Sequence, residues 1–119
     1  MSIQPIKRKT FSKQKREEVK SKFGGKCAYC GNLLDKFHVD HKKPLLHGGT
    51  HDDDNLVPAC PSCNAWKSAW DLEGFRKQVS EQIQRLNDYS ANYKLAKRYG
   101  LIKEITTDVI FHFEKNARV

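Results

Sequence analysis

The sequence has no apolar run near the roughly 18 residues that a membrane-spanning helix requires, and its basic opening, MSIQPIKRKTF, is followed by no apolar export core. It carries no internal repeat, and no low-complexity segment beyond that basic arm. Acid is in short supply: 14 Asp and Glu stand against 22 Lys and Arg, leaving a formal net charge of +8. These absences argue against a membrane span, an exported protein and a solenoid. The expectation is an intracellular, cytoplasmic protein that does not associate with membranes. With 119 residues, 38% of them hydrophobic, the chain has the length of one domain with one modest core.

The basic surplus is concentrated. Residues 1–26 hold nine Lys and Arg against Glu17 and Glu18, whereas residues 27–70 come to −1 and residues 71–119 to +2. A cationic arm of this kind suits a polyanion, because each Lys or Arg that neutralises a phosphate releases counterions. A solvated helix face is the plainer reading of the same charges. The acidic centre must still be reconciled with DNA, and a bound cation would do so.

Local signals divide the chain into a basic arm and helix (1–24), a cysteine-rich centre (25–70) and a C-terminal part (71–119). Ser12 is placed to cap a helix running to about Phe23 and ended by Gly24 and Gly25. Pro61 is placed to open a short helix through Trp66 and Trp70, two residues read as core. Phe75, Val79, Ile83 and Leu86 recur at helical spacing, and a further helix is expected from Ala91 to Tyr99, stopping at Gly100. The terminal VIFHFE alternates Val109, Phe111 and Phe113 with Ile110, His112 and Glu114, which predicts a strand.

All four cysteines fall in two pairs, Cys27-Ala-Tyr-Cys30 and Cys60-Pro-Ser-Cys63, with 29 residues between them. Two such knuckles complete a tetrahedral thiolate shell with no position left for substrate, so the zinc they imply is structural. Disulfides and a redox role are the competing accounts, and a reducing compartment disfavours the first. Magnitude agrees. About 37 residues from first to last cysteine are too few for apolar burial alone, whereas structural zinc contributes on the order of 10–16 kcal/mol.

Between the knuckles, FHVDH begins as a half-buried strand and ends on an adjacent carboxylate and imidazole, Asp40 and His41. A long polar loop, KKPLLHGGTHDDDNL, follows. In order and spacing, CAYCG, VDH, HGGTHDDDNL and CPSCNAWKS, covering about residues 25 to 68, resemble the HNH nucleases. Asp40 stands at the family's first position, often His, and Asn64 at its last. The resemblance implies an α+β chain built on a ββα-metal fold, in which two antiparallel strands and a helix grip one catalytic divalent cation. Asn55 then corresponds to the family's central asparagine, a hydrogen-bonding strut that holds the loop and so positions the base.

The residues support that chemistry independently. Phosphodiester hydrolysis needs a deprotonated water and something to neutralise charge on the phosphate and leaving oxygen. The imidazole of His41, with an ordinary pKa of about 6.5, is available as general base near neutral pH. Asp40 and Asn64 offer hard oxygen ligands, which favour magnesium or manganese over an imidazole-rich preference. Lys67, one turn after Asn64, is placed to contact a phosphate. Successive strand residues face opposite ways, so Asp40 and His41 share a site only if the strand ends between them. Pro44 and Gly48-Gly49 are consistent with such a bend.

Weaker candidates are His38, a partner for Asp40 or, the favoured reading, a partly exposed strand residue, His47 and His51, contacts to metal or DNA or, the favoured reading, loop residues, and Asp52-Asp53-Asp54, read as a solvated turn. His112 has no partner legible in sequence. The expected function is a metal-dependent DNA endonuclease with His41 as base. The alternatives are a zinc-stabilised nucleic-acid-binding module without chemistry and a thiol redox protein. Association with phage, mobile-element or restriction partners follows from the family only, and oligomeric state and cleavage preference stay open.

Overall fold

The computed structural model describes residues 7–116. It is a small mixed α+β structure, with six helices and one two-stranded antiparallel sheet among the described residues. No described helix is long and apolar enough to cross a membrane.

Helix α1, Lys13–Ser21, starts where expected: the Ser12 hydroxyl accepts from the Lys15 amide at 3.1 Å, satisfying one of the free N–H groups of the first turn. Its only buried residue is Val19. The cationic face of α1 does more than meet solvent. Lys22 donates to the Leu56 carbonyl (2.9 Å) and to that of Asp53, Lys15 pairs with the Asp53 carboxylate, and Arg16 donates to the Phe37 carbonyl at 2.9 Å. Part of the basic arm is thereby spent on the acidic loop, which answers how a negative centre coexists with a positive chain.

Strands β1, His38–His41, and β2, Leu56–Ala59, pair with His38 opposite Ala59 and His41 opposite Leu56. All of β2 is buried. The first knuckle lies on its other edge, where the Ala28 amide donates to the Pro58 carbonyl at 2.9 Å. Helix α2, Pro61–Lys67, follows at once, with Pro61 in the first turn and the Cys60 sulfur accepting from the Cys63 amide at 3.4 Å. The ββα succession implied by the sequence is therefore present.

Helix α2 ends three residues earlier than expected. Ser68 takes φ +48° and ψ −126°, a backbone conformation outside the helical region that stops the helix. The tryptophans are correspondingly not core: Trp66 is 68% and Trp70 49% exposed. The buried face of α2 is the Cys63–Lys67 side, one turn apart, and Trp66 projects from another face. Trp70 instead lies close over Gly74, where an added Cβ would come within 2.8 Å of the ring.

The periodic run after Asp71 is two helices, α3, Leu72–Ser80, and α4, Gln82–Tyr89, and α5 covers Ala91–Arg98. Of the expected stripe only Phe75 is buried; Val79, Ile83 and Leu86 are each partly exposed. The C-terminal strand is not formed. Residues 109–111 are irregular and α6 is His112–Asn116. Alternation there reflects Phe111 and Phe113 both meeting the Tyr29 ring edge-on, while the Glu114 carboxylate accepts from the Phe111 amide at 2.9 Å and caps a helix. Backbone bonds from His112 to the Tyr29 carbonyl (3.0 Å) and from Phe113 to that of Ala28 (2.8 Å) fasten the segment to the knuckle. Arg76 of α3 grips Glu114 bidentately at 2.7 and 2.6 Å.

The C-terminal part thus completes the core. Cys27, Ala28, Tyr29, Val57, Ala59 and Cys63 share one buried cluster with Phe75 and Phe111. A knuckle too small to enclose itself is covered from the side remote in sequence.

Candidate functional site

The four cysteine sulfurs lie within 4.8 Å of one another, and none is in a disulfide. A tetrahedral ion with Zn–S bonds of about 2.3 Å has sulfur–sulfur edges of about 3.8 Å; the Cys30 and Cys60 sulfurs are 3.9 Å apart. Two backbone amides donate to the cluster, Cys60 N to the Cys27 sulfur (3.3 Å) and Cys63 N to the Cys60 sulfur (3.4 Å). Sulfurs that receive N–H bonds are set up to be thiolates. The Cys27 thiol is lowered to about 4, chiefly by its bond with Cys63 and then by backbone amides, against burial, while Cys63 is pushed far up by the same bond. Without metal the cluster thus carries its charge unevenly; a dication would remove that asymmetry by deprotonating the set. The donor set fits structural zinc, as expected.

Asp40, His41 and Asn64 line one cavity of about 580 Å³, together with Lys67 and Arg8. The strand does not end between Asp40 and His41 as expected: both are paired within β1, opposite Val57 and Leu56, and the chain turns into the loop only after them, yet both residues line the cavity. A 3-10 turn, Leu45–His47, closes on Gly48, whose φ is +88°. Gly49 packs so tightly under the chain that a Cβ would sit 1.8 Å from the Lys43 carbonyl oxygen. No other residue fits there.

Asn55 is a strut in the sense expected. Its carbonyl oxygen accepts from the Lys43 amide at 2.8 Å, and its NH2 donates to the carbonyls of Lys43 (3.0 Å) and Thr50 (2.9 Å). One side chain therefore ties both ends of the loop, and a backbone bond from Lys42 to the Asn55 carbonyl extends the ladder beyond His41.

Lys67 is placed differently from its sequence reading. Only 1% of its side chain is exposed, and its ammonium donates to Asp40 Oδ2 (3.1 Å) and to the His41 carbonyl (3.0 Å). Its ammonium is thus engaged with the carboxylate and the end of β1, at the wall of the cavity. Tyr29, buried in the knuckle, donates its hydroxyl to the same Oδ2. Its own ionisation is driven far out of range by burial and by Asp40, so it remains a donor. With Oδ2 held twice, Oδ1 is the carboxylate oxygen left without a partner among the described residues. The Asn64 carboxamide is likewise not tied to another described residue. One acid and one amide oxygen facing a common cavity are a fitting pair for a hard divalent cation.

His41 is half-buried, and burial is the first cause of a pKa below its ordinary value; His51 lowers it further, with Arg8 and Lys67, while Asp40 opposes. The lowering favours the neutral ring. Its Nε2 is 3.0 Å from His51 Nδ1.

Two residues of this site, Tyr29 and Arg8, carry no signal in the sequence, one being the variable residue of a knuckle and the other part of a run of cations; His51, a weaker candidate read as a loop residue, lies beside His41. His38 is exposed as expected, and His47 bonds the Ala69 carbonyl at 3.0 Å, linking the loop to the residues after α2. Asp53 is not merely solvated, since Lys15 and Lys22 both engage it. His112 lies against Gly31 and Phe23, away from the cavity.

Residues 27–69 match the family described as HNH endonuclease. The chain is 26% identical over 93 residues to a protein of Bacillus subtilis (strain 168) named "SPbeta prophage-derived putative HNH endonuclease YoqL". That alignment covers 66% of this chain and 40% of the relative, so the chain spans less than half of the relative's length. No solved structure matches.

Proposed function

We propose that this chain, an HNH endonuclease match over residues 27–69, is a metal-dependent DNA endonuclease that hydrolyses phosphodiester bonds with His41 as general base. The observation that carries this reading is the convergence of Asp40 and His41, from the end of β1, and Asn64, from helix α2, on one cavity. Neither a passive DNA-binding module nor a redox protein has need of that convergence.

In this reading Asp40 and Asn64 hold the cation, magnesium or manganese by the hardness of their oxygens. A divalent ion there supplies charge neutralisation at the phosphate and leaving oxygen. His41 takes the proton of the attacking water. Tyr29 and Lys67 fix Asp40, and Asn55 fixes the loop that follows the base. Arg8, exposed at the cavity, is the side chain available to meet a phosphate, a task that Lys67 is too deeply engaged to perform.

The test is incubation of supercoiled plasmid with the zinc-loaded chain and magnesium or manganese. Nicked or linear product supports the proposal. Tight DNA binding with no product under either metal favours the zinc-stabilised binding module instead. On the same substrate Arg8→Gln is expected to slow cleavage by about 10-fold or more, since charge stabilisation at a transferring phosphoryl group is the term it removes. It should leave zinc content unchanged, and wild-type rates from this variant would assign Arg8 to solvent. DNA is the partner in this reading, in the cytoplasm of the cell where the chain is made.

A further inference from the structure

We infer that His51 is a positioning residue which holds His41 as the imidazole protonated on Nε2, leaving Nδ1 bare toward the attacking water. The inference rests on His41 being the base.

The proton count follows from one carbonyl. His51 Nε2 lies 2.8 Å from the Lys7 carbonyl oxygen, which has no proton to give. His51 Nε2 must therefore be the donor. A neutral imidazole has one ring proton, so His51 Nδ1 is bare. That nitrogen is 3.0 Å from His41 Nε2, a distance at which two bare nitrogens repel and a shared proton binds. His41 Nε2 supplies the proton. Its Nδ1 is then the unprotonated, basic position.

Packing supports the same arrangement. The Phe11 ring lies against both histidines, with centroids 6.2 Å from His41 and 5.8 Å from His51 in an edge contact. It limits rotation of either ring. His51 hangs from the loop that Asn55 ties at Thr50, so the Asn55 strut reaches the base through its neighbour as well as through Lys43. Both His51 nitrogens are engaged, which leaves His51 nothing with which to bind a cation or take a proton itself. The basic arm contributes its backbone here: the acceptor that fixes the whole chain of bonds belongs to Lys7.

The experiment is a long-range proton–nitrogen correlation spectrum of the histidine rings. It uses the full zinc-loaded chain without added divalent cation, at mildly alkaline pH. The expected pattern is a proton on His41 Nε2, scalar coupling across the bond to a bare His51 Nδ1, and a proton on His51 Nε2. A proton on His41 Nδ1, or a bridging proton owned by His51, would overturn the inference. In parallel, His51→Ala is expected to lower kcat for plasmid nicking by about 10- to 100-fold, the usual cost of removing an orienting partner, with KM little changed. His51→Gln should recover most of the rate, because its carbonyl can accept from His41 while its NH2 donates to Lys7. Equal rates for the Ala and Gln variants would also overturn it. If instead His41→Ala nicks normally while the spectrum is as expected, the fault lies with the base assignment and not with the tautomer.

Discussion

Cys27→Ser is expected to lose bound zinc and to unfold without a cooperative transition. Cys27 is 0% exposed and sits in the one cluster that also holds Tyr29, Val57, Ala59, Phe75 and Phe111. Structural zinc contributes on the order of 10–16 kcal/mol, as much as the entire net stability of a typical domain, about 5–15 kcal/mol. Loss of a buried ligand thus removes a quantity that this core cannot replace. Consequences reach the site, because the second strand, whose end is held by Cys60, forms the floor beneath Asp40. The effect should be graded. Cys30 is the exposed member of the set, and water can take a fourth position on a three-thiolate zinc, so Cys30→Ser should retain more metal than Cys27→Ser. Zinc release titrated with a colorimetric chelator, beside thermal unfolding, measures both. A Cys27→Ser chain that binds no zinc yet melts as the wild type does would show that the knuckles are dispensable.

His41→Ala is expected to reduce plasmid nicking by about 10²- to 10⁴-fold, the range that a positioned acid–base group provides. The ring lies at the end of β1 and outside the buried cluster, so zinc content and the melting curve should be preserved. DNA retention should persist as well, since the cations of α1 and the arm are untouched. This combination separates catalysis from binding. Undiminished cleavage by the variant would remove His41 from the chemistry, whatever the metal does.

Much of this was legible beforehand, for a physical reason: the informative signals were local. Two Cys-x-x-Cys pairs specify a metal shell by spacing alone. Ser12 and Pro61 mark helix starts because capping acts within one turn. Gly48 and Gly49 mark a bend because only glycine tolerates that backbone. The strut at Asn55 follows only from the resemblance to the HNH nucleases and their central asparagine.

What failed to read was non-local or ambiguous in period. VIFHFE alternates as a strand does, yet it forms an irregular run and a helix, because its aromatic residues are claimed by Tyr29 and its Glu114 by Arg76, 38 residues away in sequence. Trp66 and Trp70 carry the composition of a core, but α2 already spends its buried face on Cys63 and Lys67. No local rule reveals that a lysine one turn after Asn64 will turn inward to Asp40.

The order of residues, by itself, determined the cysteine knuckles and the hairpin between them and set Asp40, His41 and Asn64 where the fold brings them to one cavity, since those depend on spacings of a few residues. Tertiary structure alone decided which groups serve them: Tyr29 and Lys67 on one carboxylate oxygen, His51 and the Lys7 carbonyl on the imidazole, Arg8 at the opening. Side chains meet by where the folded backbone carries them, and that is set by burial of Phe75 and Phe111 against a zinc knuckle, contacts that span more than forty residues and leave no mark on local pattern.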